Sequence, residues 1–152
     1  MVWINDKRIK DAQLGLIRAG FPTTIKIVGR REFLMIISLK KLKKAVEGHV
    51  TTPASYKIFD ASEGSKLRLG IVVVGDFSTL KIEEYGELLR KLEREGFKTN
   101  VELSEDFRTL KVIIDLDPLI TVFTARGIPR RLFTEKIKVT KDMPFLIIHF
   151  KG

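Results

Sequence analysis

The chain has 152 residues, of which 44% are hydrophobic and 31% are charged, and its formal net charge is +9. It contains no Cys, which excludes disulfides and thiolate metal sites. The N-terminus is charged by Asp6, Lys7 and Arg8, and the apolar runs, such as Phe33–Ile37, are far shorter than the roughly 20 residues that a bilayer-spanning helix needs. We therefore expect a cytoplasmic protein without a signal peptide or a membrane segment.

The positive charge is concentrated in the first half of the chain. Residues 1–75 carry 14 Lys and Arg against 6 Asp and Glu, a net charge of +8, whereas residues 76–152 carry 14 against 13, a net charge of +1. A basic half is typical of a protein that faces a polyanion. The abundance of Lys and Glu also resembles archaeal-type proteins from hyperthermophiles, so a thermophile surface explains the same charge equally well.

The first half is predicted to contain a helix, two strands, a second helix and two further strands. Ile9, Ala12 and Leu16 recur at helical spacing, and Gly20 follows them where left-handed geometry favours Gly, which predicts a helix over 6–19. The remaining elements are strands around 24–27 and 33–39, a Lys-rich helix over 39–47, and strands over 56–60 and 67–74.

The second half repeats this order of elements. The pattern predicts a helix over 80–95, strands over 97–103 and 108–116, a helix over 118–125, and strands over 132–139 and 145–150. Helix 118–125 is apolar almost all round, so we expect it to be buried, unlike its Lys-rich counterpart.

Short matches between the halves indicate an internal duplication. Gly20-Phe21 matches Gly96-Phe97, and Thr23 matches Thr99. Further along, Ile36-Ile37 matches Ile113-Ile114, and Lys136-Ile137 matches Lys57-Ile58. We therefore predict an α+β fold made of two similar αββαββ halves of ferredoxin-like size, with antiparallel-rich sheets covered by helices.

The predicted domains are residues 1–75, which are basic, and residues 76–152, which are near neutral. The alternative is a ferredoxin-like βαββαβ arrangement from strand 67–75 to strand 132–139.

The segment Gln13–Phe21, which reads QLGLIRAGF, resembles the LAGLIDADG homing endonucleases around Gly15-Leu16-Ile17 and Ala19, and the order of elements is similar to theirs. The resemblance covers one helix. The metal-binding acid of that family falls on Gly20 here, and Lys91 stands where the second helix would have its packing Gly. The resemblance therefore implies a DNA-binding protein without nuclease chemistry.

The residues that catalysis or metal binding would need are sparse. There is no Gly-rich phosphate loop, and His49 and His149 are the only histidines, so a zinc site is not expected. Asp115 and Asp117 follow an apolar strand, where carboxylates either bind Mg²⁺ or cap the next helix, and Pro118 favours the cap. We expect no enzyme activity, no cofactor and no metal, because no convergent set of catalytic roles is present.

Basic clusters are the most informative polar features of the sequence. The candidate nucleic-acid-binding residues are Arg30, Arg31, Lys40, Lys41, Lys43, Lys44, Arg126, Arg130 and Arg131. An Arg at a hairpin or loop tip suits phosphate because its planar fork makes two hydrogen bonds. The alternatives are a solvated helix face for the lysines and ion pairs for the loop arginines.

These features favour a non-catalytic nucleic-acid-binding protein whose contact with DNA or RNA is dominated by phosphate and runs through the basic N-terminal half. The expected footprint joins Arg30 and Arg31 to helix 39–47. The alternative is a protein-interaction or oligomerisation module, with a homo-oligomer formed through helix 118–125 or a sheet edge. The two hypotheses differ in whether helix 118–125 is covered and whether the basic clusters lie together.

Overall fold

A computed structural model describes residues 3–50, 53–80 and 82–152, and within them four helices and eight strands follow the predicted order. The helices are α1 (Lys7–Arg18), α2 (Lys40–Glu47), α3 (Ile82–Arg94) and α4 (Asp117–Thr124). The strands are β1 (Thr23–Gly29), β2 (Glu32–Ser38), β3 (Ser55–Asp60), β4 (Arg68–Val74), β5 (Thr99–Leu103), β6 (Thr109–Asp115), β7 (Phe133–Thr140) and β8 (Met143–Lys151). A short 3₁₀ helix, Arg130–Leu132, precedes β7 and was not predicted. Residue 81, within the predicted helix 80–95, lies outside the described residues.

The described strands form two four-stranded antiparallel sheets. Sheet A has the strand order β1-β2-β8-β7, and sheet B has the order β3-β4-β6-β5. The α+β class with antiparallel sheets and two similar halves is therefore confirmed. The ferredoxin-like alternative is wrong, because β7 belongs to sheet A whereas β4, β5 and β6 belong to sheet B.

The compact units do not follow the predicted boundary at residue 75. Unit 1 comprises residues 1–41 and 118–152, and unit 2 comprises residues 42–117. The reason is strand pairing: β2 pairs with β8, and β4 pairs with β6, so each central ladder joins strands from opposite halves of the chain. Each unit thus combines one αββ segment from the first half with one from the second half.

Local geometry supports the duplication that the sequence indicates. Gly20 ends α1 at a φ of 95°, and Gly96 ends α3 at a φ of 90°. Beyond them, the hydroxyls of Thr23 and Thr99 each donate to the carbonyl two residues earlier, at 2.9 and 3.1 Å. The same turn therefore follows the first helix of each half. Gly stands at the end of both helices because it adopts the left-handed conformation at no steric cost.

Helices cover one side of each sheet and the core lies between them. In unit 1 the fully buried side chains include Ile9, Ala12 and Leu16 of α1, Phe33, Met35 and Ile37 of β2, Phe123 of α4, and Leu146, Ile148 and Phe150 of β8. In α4, Leu119 and Ile120 are buried as well, which confirms the predicted burial of helix 118–125. In unit 2 the corresponding core contains Leu69, Ile71 and Val73 of β4, Val112 and Ile114 of β6, and Leu88 and Leu92 of α3.

The tight turn between β7 and β8 offers a direct test of the hairpin geometry. Its two central residues, Lys141 and Asp142, have φ values of 51° and 59°, in the left-handed region. Asn-Gly is the preferred pair for such a turn. We expect K141N/D142G to raise the free energy of unfolding by about 1 kcal/mol, measured as a shift of the urea midpoint. The double variant K141A/D142A removes the same charges but keeps both Cβ atoms, and an equal gain in that control would contradict the explanation.

A second test concerns Tyr85 of α3. Its hydroxyl is buried without a hydrogen-bond partner among the described residues, and burial raises the pKa of Tyr85 to about 12. The unfolded chain ionises Tyr85 near pH 10 and the folded chain only near 12, so the wild type loses stability as the pH rises through this range. Tyr85→Phe should raise the free energy of unfolding by about 1 kcal/mol at neutral pH. It should also lose less stability than the wild type between pH 10 and 12 in urea titrations. Parallel curves for the two proteins would disprove the assignment.

Candidate nucleic-acid interface

Two of the predicted arginine clusters meet at one end of sheet A. Strands β2 and β7 flank β8 and both run antiparallel to it, with Phe33 and Phe133 each opposite Phe150. The turn before β2 and the 3₁₀ helix before β7 therefore lie at the same end of the sheet, about 10 Å apart. This brings Arg30 and Arg31 close to the segment that carries Arg130 and Arg131, although the two clusters are far apart in the sequence. We call this the arginine end of sheet A.

Three of these arginines remain available to a ligand. Arg30, Arg31 and Arg131 are exposed, and their side chains make no ion pair or hydrogen bond within the described residues. Arg31 adopts a φ of 58°, and its carbonyl accepts the backbone N–H of Gly152 at 2.7 Å. The loop arrangement thus points cations into solvent without an internal counter-ion.

Two other predicted arginines are occupied by the protein itself. Arg126 donates from Nη1 to the carbonyl of Val122 at 2.9 Å, which satisfies the C-terminal end of α4. Arg130 donates to the carbonyl of Phe133 at 3.0 Å, lies 4.8 Å above the centre of that ring and pairs with Glu135. These contacts make the two side chains structural, in agreement with the ion-pairing alternative for Arg130.

The lysines of α2 are likewise divided between structure and solvent. Lys41 donates from Nζ to the carbonyl of Ala19 at 2.8 Å and lies 5.3 Å from the centre of the Phe21 ring. Lys43 pairs with a Glu one turn later in α2, at 3.4 Å. Lys40 and Lys44 are exposed. Two of the four predicted lysines are therefore solvated, and the other two make internal contacts.

The arginine end and the start of α2 lie at opposite ends of β2. Arg31 precedes this seven-residue strand and Lys40 follows it. Seven residues of extended chain span about 23 Å. The expected footprint that joins Arg30 and Arg31 to α2 is therefore not one contiguous patch in unit 1.

The face of sheet A that points away from the core carries further cations that sequence reasoning missed. Lys26 on β1 and Lys136 and Lys138 on β7 are exposed. Lys26 stands in the row of Leu34 and His149, Lys136 in the row of Ile147, and Lys138 in the row of Phe145. Together these seven residues define the open face of sheet A. Its floor forms a groove of about 420 Å³ whose lining comes from all four strands.

A sequence signal for this face existed in β7. Its residues alternate between polar side chains on the open face and Phe133 or Ile137 on the other. Thr134, Lys136 and Lys138 therefore share one side. The signal is short and the third lysine, Lys26, lies on another strand, so no cluster is apparent from the sequence.

The carboxylates near this groove are engaged by neighbouring side chains. Glu32 accepts from His149, with Oε1 and Nε2 2.6 Å apart, and Glu135 pairs with Arg130. The other histidine, His49, donates from Nδ1 to the carbonyl of Ala45 at 2.8 Å. Each histidine thus makes a hydrogen bond within the protein.

The acids that an enzyme hypothesis would use act at a helix end. Asp115 accepts the backbone N–H of Asp117 at 2.9 Å, where α4 begins. Ser38 occupies the matching place before α2 and accepts the backbone N–H of Lys40 at 3.4 Å. No group of three or more His, Asp or Glu residues in the described part of the chain is close enough to hold a metal ion.

Comparisons with protein-family models, with curated proteins and with solved structures returned no match. None of the helices among residues 3–50, 53–80 and 82–152 combines the length and the apolar character that crossing a bilayer requires. The assignment of a site therefore rests on the geometry and charge of sheet A.

The division between structural and solvated lysines can be tested with matched substitutions. Lys41→Met removes the charge that holds the carbonyl of Ala19, so we expect it to lower the free energy of unfolding by about 1 kcal/mol. Lys44→Met removes the same charge from an exposed position of the same helix and should change stability by less than about 0.5 kcal/mol. Urea unfolding of both variants provides the comparison, and equal effects would argue against a capping role for Lys41.

Proposed function

We propose that this protein binds nucleic acid without catalysing a reaction, through phosphate contacts made by the arginine end and the open face of sheet A. The observation that carries the proposal is a set of exposed cations at the arginine end and on the open face of sheet A. These are Lys26, Arg30, Arg31, Arg131, Lys136 and Lys138. Guanidinium groups bind phosphate in a fork, and ammonium groups on adjacent strands supply point charges along the backbone.

The acids on this side do not cancel the positive charge. Within the described residues, Glu32 is held by His149 and Glu135 by Arg130. The exposed lysines and the three solvated arginines therefore outnumber the carboxylates. Such a surface favours association with a polyanion, with an affinity that depends strongly on salt.

Arg31 supplies a second line of support. Its φ of 58° lies in the region that Gly adopts most readily. A bulky side chain there costs on the order of 1 kcal/mol. A contribution of that cation to binding would account for a residue that weakens the turn.

The second candidate function is an interaction module that uses a sheet edge. Helix 118–125 no longer supports it, because α4 buries its apolar side chains within the chain. The specific observation in its favour is the edge strand β1, where Ile27 and Val28 are 56% and 45% exposed. An exposed apolar edge strand is a template for pairing with another strand.

Fluorescence anisotropy with labelled duplex DNA, single-stranded DNA and RNA would test the proposal. If six cations contact duplex phosphates, the slope of log K against log salt should be about −5. The affinity should then fall by about 10³-fold between 50 and 200 mM salt. Absence of binding at low salt would reject the proposal and leave the β1 edge as the remaining candidate, to be tested by sedimentation of the purified chain.

Arg31→Gly separates binding from folding. Gly relieves the left-handed strain, so we expect the free energy of unfolding to rise by about 0.5–1 kcal/mol. Loss of a charged hydrogen-bond donor to phosphate should at the same time weaken binding by roughly tenfold. Lys10→Ala removes one positive charge from the exposed side of α1, the helix that covers the core side of sheet A, and should leave the affinity nearly unchanged. An Arg31→Gly protein that is more stable and binds equally well, or a Lys10→Ala protein that is equally weakened, would contradict the proposed footprint.

A further inference from the structure

A phenyl ring lies flat on the open side of sheet B. Phe59 on β3 stands directly opposite Gly70 on β4. A Cβ built on Gly70 would lie 2.4, 2.6 and 2.7 Å from the Cζ, Cε1 and Cε2 atoms of Phe59. Since three atoms at the end of the ring are almost equally distant from that point, the ring plane lies across the Cα–Cβ direction of Gly70. One face of the ring therefore covers the strand, and the other faces away from the sheet.

Gly70 is what permits this arrangement. Gly inside a strand weakens that strand, because its backbone loses more entropy on folding and it has no side chain to pack. It often marks a position that another group approaches closely. Here the group that approaches is the ring of Phe59, which remains partly exposed. An aromatic face parallel to a sheet surface has the geometry that a planar ligand needs for stacking.

Cations surround this ring on the same side of the sheet. The neighbouring row carries Lys57 on β3, Lys111 on β6 and Glu102 on β5, and all three are exposed. The row on the other side carries Arg68, whose guanidinium also contacts Glu63 at 2.6 Å. Two residues of strand span about 7 Å. Lys57 is therefore about 7 Å from Phe59 along β3, close enough to contact the phosphate of a nucleotide whose base lies on the ring.

A small pocket lies further along the same row, beyond Gly70. Ile113 and Asn100 continue the Phe59–Gly70 row across β6 and β5. They form part of a pocket of about 190 Å³, together with Arg68 and Asp115. This volume is that of roughly six water molecules, which suits one nucleobase. The Asn100 amide donates to Glu102 at 3.3 Å and Asp115 accepts from Asp117 through Oδ1, so the amide oxygen of Asn100 and Oδ2 of Asp115 are the groups that a base edge can contact.

We propose that the open side of sheet B is a second site, which binds an unpaired base of a single-stranded nucleic acid. The base stacks on the outer face of Phe59, and Lys57 and Lys111 contact the flanking phosphates. Asn100 and Asp115 face the edge of the base that enters this pocket. A base inside a duplex has both faces covered by its neighbours, so this site selects single strands.

The site does not depend on the function proposed for sheet A, and its chemistry differs from it. The contacts proposed for sheet A are made by cations, although Phe145 also lies on that face, in the row of Lys138. Binding through these cations follows the phosphate charge and not the presence of bases. Sheet B offers a ring, so its contribution requires bases.

The test uses the full-length chain with three labelled probes of equal length: a single-stranded oligonucleotide, its abasic counterpart and a duplex. Phe59→Leu removes the ring and keeps an apolar cover over Gly70. We expect it to weaken binding of the single strand by about 5- to 150-fold, while binding of the abasic strand and the duplex stays the same. Phe59→Tyr retains the ring and should bind like the wild type.

A fluorescent variant provides an independent readout. Phe59→Trp places an indole at the site, and its emission should be quenched by the single strand and not by the abasic strand, beyond the response of Trp3 in the wild type. Unchanged single-strand affinity in folded Phe59→Leu, or no additional quenching in Phe59→Trp, would overturn the second site. Loss of duplex binding in Arg31→Gly concerns only sheet A, so failure of either proposal is distinguishable from failure of the other.

Discussion

The pairing of β2 with β8 and of β4 with β6 is the constraint on which the rest of the structure depends. These ladders lie at the centres of the two sheets, and each joins strands from opposite halves of the chain. Apolar side chains on these strands form the floor of each core, which the helices cover. The same pairing places the start of β7 beside the start of β2. Arginines from distant segments thereby reach one end of sheet A, which neither half of the chain achieves alone.

The helices and strands could be predicted from the sequence because their signals are local. Apolar residues at helical or alternating spacing, with Gly at helix ends, locate each element to within a few residues. Pairing is not encoded in the same way. Strands β2, β4, β6 and β8 all have the apolar character of central strands, so the pattern shows that each is central without showing its partner. The boundary at residue 75 followed from chain order, and the two central ladders cross it.

The candidate site was only partly predictable, for a related reason. Sequence clusters identified Arg30, Arg31 and Arg131, whose side chains remain solvated. These sequence clusters could not show that Lys41 caps α1 or that Arg130 is held by β7. The groups that Lys41 and Arg130 contact are brought close to them only by the folded structure. Lys26 and Lys136 escaped notice because a surface spread over several strands leaves no run of charge in the sequence. Charge clusters in the sequence therefore predict too many solvated cations on helices and too few on sheet faces.

The two sheets place different chemistry on one frame. The register aligns the row Thr24–Ile36–Ile147–Lys136 of sheet A with the row Asn100–Ile113–Gly70–Phe59 of sheet B. Lys136 thus corresponds to Phe59, two residues away from the match with Lys57 that the sequence indicates. Where sheet A has Ile147 opposite a lysine, sheet B has Gly70 opposite Phe59, whose ring covers it. Side chains on an open face carry little of the core packing, so they can change while the buried rows and the turns after α1 and α3 persist. A duplicated fold can in this way keep one architecture and present a cationic face on one sheet and an aromatic face on the other.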